Sequence, residues 1–321
     1  MKTSTQNRGH LIGPLCVAAM VAGAMPLWAQ DAPGAPPDVA QVTVTVSGRH
    51  QSAPPTTLDR DDVLVYEANE RRPVVKWQAE EGNAAGLDLA VMIDDSSDYR
   101  LGVQFSDLRH FLASLPATTR VAVVYGVHGD TNFTQKFTED HQKAAQALRL
   151  PLGRINEGSS IYLSVADLAK HWPQDGNRRS ILLISDGIDL FRGVVDSMPP
   201  ENPDLQEAVN EAQRAGITVY TIFADGAAGF DRNLFLVNNG QSSLSLLSYE
   251  TGGESYFQGN ETPVAFSPFL QQIQRELGHQ FTLAFSLLPS KRGFQRLRVT
   301  TEQPAVEISA PDRVFVPGTG K

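Results

Sequence analysis

Between residues 86 and 280, short apolar segments alternate with longer amphipathic ones, and this alternation limits the folds open to the chain. Residues 87–93 and 217–224 are apolar almost throughout, which is typical of strands buried on both faces. In residues 101–115, large apolar side chains recur every three or four positions, as on one face of a helix. The alternation predicts an α/β fold with a doubly wound, mainly parallel sheet and helices on both sides.

Side chains that carry oxygen stand at three places along this alternation. The run Asp94-Asp95-Ser96-Ser97-Asp98 comes directly after the first strand, Ser160 precedes a predicted helix, and Asp186 follows the strand at residues 181–185. In open α/β sheets, ligands bind at the carboxyl ends of the strands. Carboxylates and hydroxyls suit a hard cation such as Mg²⁺. The sequence therefore predicts a cation site formed by Asp94, Ser96, Asp98, Ser160 and Asp186.

Two further segments, 39–80 and 281–321, have strand patterns without helices. Strands are predicted at residues 39–46, 63–66 and 72–78, and again at 280–287, 294–300 and 314–316. Neither segment alone has enough strands for an independent core. We therefore expect both to form one small β unit beside the α/β domain of residues 86–280.

The N-terminus has the pattern of a secretory signal peptide over residues 1–29. Lys2 and Arg8 are its only charges, and an apolar stretch follows at residues 11–28. Residues 30–38 are rich in proline and predict a linker. Cleavage near Gln30 would remove Cys16, the only cysteine. We expect an exported, periplasmic or extracellular bacterial protein; the alternative is a retained N-terminal anchor.

Charge and motifs exclude several functional classes. The formal net charge of −9 argues against binding to nucleic acid or to an anionic membrane surface. The chain has neither a Gly-x-Ser-x-Gly elbow nor a His-Glu-x-x-His motif, and its seven histidines lack metal-ligand spacing. We therefore expect no enzymatic activity, with a metal-dependent hydrolase as a remote alternative.

Taken in order, Asp94-x-Ser96-x-Asp98, Ser160 and Asp186 resemble the von Willebrand factor type A domain. That family carries a metal-ion-dependent adhesion site with the pattern Asp-x-Ser-x-Ser, then Thr, then Asp. The resemblance covers roughly residues 86–280. The whole chain is also similar to bacterial exported proteins with a related domain, in which a β lead-in reads like Asp-Asp-Val-Leu-Val-Tyr-Glu at residues 61–67.

Two positions depart from the family pattern. Ser160 stands where Thr is usual, and it keeps the hydroxyl. Asp98 stands where a second Ser is usual and adds a third carboxylate. Extra negative charge should strengthen cation binding and weaken the attraction of an acidic partner. Asp98 could also fill the coordination position that the family leaves open.

The resemblance implies a non-enzymatic binding module that holds Mg²⁺, Mn²⁺ or Ca²⁺ and engages a protein partner in the cell envelope. The alternative is a scaffold protein with a degenerate, metal-free site, which binds through its β edges. Local interpretations also stand, because Ser-Asp-Gly is common in turns and Asp94 or Ser96 could cap the following helix. The sequence leaves the partner and the oligomeric state open.

Overall fold

The computed structural model describes residues 39–48, 58–82, 85–153, 160–199, 201–229, 233–289 and 291–318. The predicted signal peptide and the linker at residues 30–38 lie outside the described residues. Within these ranges, no helix combines the length and the apolar character needed to cross a membrane.

Strands and helices follow one another in the described chain. The strands are β1 (Val39–Gly48), β2 (Val63–Glu67), β3 (Glu70–Arg72), β4 (Val74–Ala79), β5 (Leu87–Asp94), β6 (Thr119–Val127), β7 (Asp130–Thr138), β8 (Arg178–Ser185), β9 (Ile217–Phe223), β10 (Ser255–Tyr256), β11 (Gln280–Ser286), β12 (Gly293–Thr301), β13 (Val306–Ser309) and β14 (Arg313–Val316). The α-helices are α1 (Phe105–Ser114), α2 (His141–Gln146), α3 (Ile161–Lys170), α4 (Pro203–Ala215), α5 (Leu234–Thr251) and α6 (Ser267–Gly278).

The central sheet has six strands in the order β10-β9-β8-β5-β6-β7. All neighbours are parallel except β6 and β7, which pair antiparallel. Apolar residues of α1, α2 and α6 share one core with the sheet, whereas those of α3, α4 and α5 share the other. Every residue of β5 is buried, as its apolar sequence requires. The predicted doubly wound, mainly parallel sheet is confirmed.

The flanking segments form a β-sandwich. One four-stranded sheet has the order β13-β1-β11-β4, and the other has the order β14-β12-β2-β3. Each sheet combines strands from both ends of the described chain, and Val44 and Val65 of the N-terminal segment share a core with Phe285 and Leu297. The prediction of one adjoining β unit is therefore confirmed.

Several element boundaries differ from the sequence prediction. The strand predicted at residues 72–78 is split at Pro73, which has no N–H to donate to a ladder. The helix predicted at 244–251 begins ten residues earlier, at Leu234. Its first half carries Gly240, where an added Cβ would lie 2.1 Å from the Asp186 carbonyl oxygen. A glycine disfavours helix by its intrinsic propensity. The helix nevertheless includes Gly240, which packs closely against the segment that carries Asp186.

A buried carboxylate fixes the amino end of β5. Asp88 is completely buried and accepts hydrogen bonds from Arg120 Nε at 2.8 Å and Arg120 Nη2 at 2.6 Å. Asn177 Nδ2 donates to the same carboxylate at 2.9 Å. Arg120 lies on β6 and Asn177 precedes β8, so Asp88 links β5 to both neighbouring strands at one end of the sheet.

We expect Asp88→Ala to lower the free energy of unfolding by about 2–3 kcal/mol, because its polar partners would lose a buried acceptor. Urea denaturation measures the change. Asp175→Ala is the matched control, since Asp175 pairs with the same arginine on a more exposed surface; its loss should stay below about 1 kcal/mol. Equal losses of unfolding free energy in the two variants would contradict the role of Asp88 as a buried link between the strands.

Candidate functional site

The site lies where the strand order reverses. The chain runs from β5 to β6 on one side and returns to β8 on the other, so the switch point falls between β5 and β8. Asp94 ends β5, and Asp186 directly follows β8. The parallel register pairs Ile93 with Ile184, which brings the ends of the two strands side by side. This is the position at which open α/β sheets bind ligands.

Neutral donors hold the Asp94 carboxylate. Its Oδ1 accepts from the Ser96 backbone N at 2.9 Å and from Ser96 Oγ at 2.6 Å. Its Oδ2 accepts from Ser185 Oγ at 2.7 Å. Burial raises the pKa of Asp94 above its ordinary value, although these hydrogen bonds work in the opposite direction. No lysine or arginine in the described chain forms an ion pair with this carboxylate.

Asp186 is also buried, with 8% of its surface exposed. Its Oδ1 accepts from the Ile188 backbone N at 2.9 Å. Burial raises the pKa of Asp186 to about 8, and the negative charges of Asp94 and Asp225 contribute. Gly226 lies against the second carboxylate oxygen, since an added Cβ would be 2.2 Å from Oδ2. The site therefore contains carboxylates that no Lys or Arg of the described ranges compensates.

Ser160 lies at the position before α3, and it is almost completely buried. Its Oγ donates to Asp189 Oδ2 at 2.7 Å, and Asn202 Nδ2 donates to the same oxygen at 3.1 Å. Because the hydroxyl proton is used in this way, the oxygen lone pairs stay free for another partner.

Tyr162 shows that the predicted segments meet. It lies in the first turn of α3, and its hydroxyl donates to the Gly187 carbonyl oxygen at 2.7 Å. Burial raises the pKa of Tyr162, and the charges of Asp189, Asp186 and Asp94 raise it further. Since these interactions need proximity, the structure brings the start of α3 together with the ends of β5 and β8.

Asp98 has a different set of contacts. It caps a 3₁₀ helix, Tyr99–Gln104, where its Oδ1 accepts from the Arg100 backbone N at 2.7 Å. The same oxygen lies 3.0 Å from Arg100 Nε. The hydrogen bonds from Arg100 lower the pKa of Asp98. Asp98 is thus engaged as a helix cap, and its role as a metal ligand stays a prediction.

Sequence reasoning missed Asp225, which follows β9, the strand next to β8. Its Oδ2 accepts from Thr262 N and Thr262 Oγ1, both at 3.0 Å. Its Oδ1 is buried and has no hydrogen-bond partner. A signal was present, because Asp225-Gly226 follows the apolar run 217–224 just as Asp186-Gly187 follows β8.

Asp95 anchors the loops beside the site. Arg149 Nη1 and Nη2 donate to its two carboxylate oxygens at 2.6 and 3.2 Å. The same guanidinium lies 3.7 Å from the centre of the Tyr125 ring, and the Leu152 backbone N donates to Asp95 at 3.0 Å. This ion pair, in which only Asp95 is buried, ties the segment after α2 to the segment after β5. It also leaves Asp95 neutralised, unlike Asp94 and Asp186.

The donor set of the site fits an oxygen-preferring cation. Asp94 and Asp186 are buried carboxylates, the Ser96 hydroxyl contacts Asp94, and Ser160 is buried at the start of α3. Asp225 Oδ1 lacks a hydrogen-bond partner. Within the described ranges, no group of three or more His, Cys, Asp or Glu side chains is arranged to hold an ion. A cation here would therefore depend on hydroxyl or water oxygens in addition to carboxylates.

The known proteins that this chain resembles are only distantly similar to it. No protein-family model matches the chain, and no curated protein does. An aerotolerance-related membrane protein from Bacteroides fragilis is 15% identical, with 60% of this chain and 98% of that one covered and a TM-score of 0.42. A von Willebrand factor type A protein from Catenulispora acidiphila is 10% identical, with 88% and 74% covered and a TM-score of 0.39.

A third structure, BatB from Bacteroides thetaiotaomicron, is 14% identical, with 60% and 97% covered and a TM-score of 0.42. None of the three TM-scores reaches 0.5, so a function for this chain does not follow from the likeness.

The raised pKa of Asp186 predicts how stability depends on pH when a chelator is present. A folded-state pKa of about 8, against an ordinary value of 3.8, means that the folded state binds the proton more tightly. The free energy of unfolding should therefore fall as the pH rises from about 4 to about 8. Asp186→Asn removes this titration, so the variant should be more stable than the wild type near pH 8.5.

Urea denaturation in EDTA at several pH values tests this expectation. The advantage of Asp186→Asn should shrink steadily as the pH falls from 8.5 to 5, because the wild-type folded state keeps a proton that the unfolded state releases only near its ordinary pKa of 3.8. Asp61→Asn is the control, since the side chain of Asp61 is 90% exposed. If the wild type and Asp186→Asn keep a constant stability difference from pH 5 to 8.5, the assignment is wrong.

Proposed function

We propose that the chain is a non-enzymatic binding module that holds a divalent cation at the carboxyl edge of its central sheet and engages a protein partner there. Asp94, Ser96, Ser160 and Asp186 would hold the ion, which is Mg²⁺, Mn²⁺ or Ca²⁺. When bound, the cation supplies positive charge and a coordination position for an oxygen ligand. Because residues 1–29 have the pattern of a signal peptide, we propose that the module acts outside the cytoplasm.

One observation carries the proposal: two carboxylates are buried together, and no lysine or arginine that the structure describes pairs with them. Burial of an unpaired charge is costly, and proteins normally pair such groups or coordinate a metal. The proximity of Asp94 and Asp186 adds to the cost of burying each charge, since the charge of Asp94 contributes to the raised pKa of Asp186. A divalent ion between them would remove both penalties at once.

A scaffold protein with a metal-free site is the second candidate, and the same pKa favours it. With a pKa of about 8, the Asp186 carboxyl can be protonated at neutral pH and remain buried without an ion. The two candidates therefore differ in one property: only the first requires measurable binding of a divalent cation. Both share the expectation that the chain acts by binding other proteins.

Isothermal titration calorimetry of the purified chain, after dialysis against EDTA, separates the candidates. We expect Mg²⁺, Mn²⁺ or Ca²⁺ to bind at micromolar to millimolar concentration. Asp186→Asn should weaken binding by about tenfold or more, because one of the two buried carboxylates is lost. Absence of binding by all three ions would leave the metal-free scaffold as the better account.

Two further variants make the titration specific. Asp61→Asn should bind the ion like the wild type, since Asp61 is an exposed residue outside the site. Asp98→Ser should change the affinity by less than Asp186→Asn, because Arg100 already neutralises Asp98. A hydroxyl at residue 98 can still cap the 3₁₀ helix. A loss with Asp98→Ser as large as with Asp186→Asn would make Asp98 a direct ligand.

A further inference from the structure

A group of exposed apolar side chains lies beside the candidate site. We call this group the apolar rim, and it consists of Tyr99, Val103, Leu150, Leu152 and Val264. Val103 is 75% exposed and Val264 is 92% exposed. A single exposed apolar residue is ordinary, but a group of them beside a binding site marks an interaction surface.

The described contacts join the members of the rim into one surface. Leu150 lies against the 3₁₀ helix that carries Tyr99 and Val103, since a Cβ added to Gly102 would be 2.3 Å from Leu150 Cδ2. Gln104, at the end of the same helix, donates from Nε2 to the Val264 carbonyl oxygen at 3.1 Å. The loops of the rim are therefore held in place before any partner binds.

The rim is also fixed to the acidic site. The Leu152 backbone N donates to Asp95 Oδ1 at 3.0 Å, one residue after Asp94. The Ala227 backbone N donates to the Ser96 carbonyl oxygen at 2.9 Å, and the Asp98 backbone N donates to the Asp225 carbonyl oxygen at 2.9 Å. A partner that covers the rim thus comes next to the carboxylates.

The charges at this edge favour a basic partner. Two arginines beside the rim in the described part of the chain are already paired, Arg100 with Asp98 and Arg149 with Asp95. Four carboxylates nearby have no Lys or Arg partner among the described residues: Asp94, Asp186, Asp189 and Asp225. One divalent ion can offset only two negative charges, so these four carboxylates together stay negative when the ion is bound.

We propose that the apolar rim docks a protein segment in which a lysine or arginine is flanked by large apolar residues. The apolar residues cover the rim, and the basic side chain reaches towards the unpaired carboxylates. This inference rests on the proposed function and specifies the partner of that same site. The family resemblance implies an acidic ligand. This inference specifies a basic ligand instead, because this chain carries additional carboxylates such as Asp225.

Two matched peptides test the proposal on the full chain. One has the sequence Gly-Leu-Phe-Lys-Leu-Phe-Gly with blocked ends, and the other has Glu in place of Lys. Fluorescence anisotropy in Mg²⁺ at low ionic strength should show the Lys peptide binding about tenfold more tightly. Equal affinity, tighter binding of the Glu peptide, or no binding of either at about 1 mM would each overturn the proposal.

Substitutions in the apolar rim test the apolar contact, and a substitution of a carboxylate tests the attraction of the basic side chain. The double variant Val103→Ser and Val264→Ser should weaken both peptides by about fivefold, since apolar contact is lost. Val75→Ser is the matched control, because Val75 is 51% exposed on the β-sandwich. Asp225→Asn should reduce the preference for Lys over Glu. A double variant that binds like the wild type would exclude the rim as the docking surface.

The same titrations in EDTA distinguish this inference from the proposed cation site. If calorimetry shows no divalent binding while the Lys peptide is still preferred and the rim variant still weakens it, the cation proposal fails and the docking surface stands. If the cation binds but the Lys preference is absent, the docking inference fails and the cation site stands.

Discussion

The burial of Asp94 and Asp186 at adjacent strand ends is the constraint on which the site depends. The parallel pairing of β5 with β8 brings the two carboxylates together, and the described residues around them supply hydroxyl and amide donors rather than cations. Ser96 and Ser185 satisfy Asp94 without removing its charge. The arrangement therefore keeps a negative potential that an ion or a proton must offset.

Contacts elsewhere in the described structure hold this edge in place. The β-sandwich attaches at the opposite end of the sheet, where Arg178 begins β8 and donates to the Leu277 carbonyl oxygen at 3.0 Å and to Gln280 Oε1. At the site end, the ion pair of Asp95 and Arg149 holds neighbouring loops together. Firm attachment at one end and fixed loops at the other therefore keep the described strand ends of the carboxyl edge in a defined arrangement.

The sequence predicted the fold well because burial on both faces leaves continuous apolar runs, as in β5. It also located Asp94 and Asp186, since both follow such runs. It could not predict the contacts of Asp98, whose carboxylate accepts a hydrogen bond from Arg100, two residues later. The partner of a side chain leaves no periodic pattern in a sequence. Asp225 was missed although its local pattern repeats that of Asp186. The early start of α5 depends on packing of Gly240 that only the folded chain reveals.

Diffraction from crystals grown with Mn²⁺, recorded at the manganese absorption edge, tests the central claim most directly. The account predicts an anomalous peak at the carboxyl edge of the sheet, within coordinating reach of Asp94 and Asp186, at about 2.0–2.6 Å from oxygen ligands. The peak should be absent in crystals of Asp186→Asn grown in the same way. Ordered Asp94 and Asp186 carboxylates with no peak between them, or a peak only at exposed acidic residues, would contradict the account.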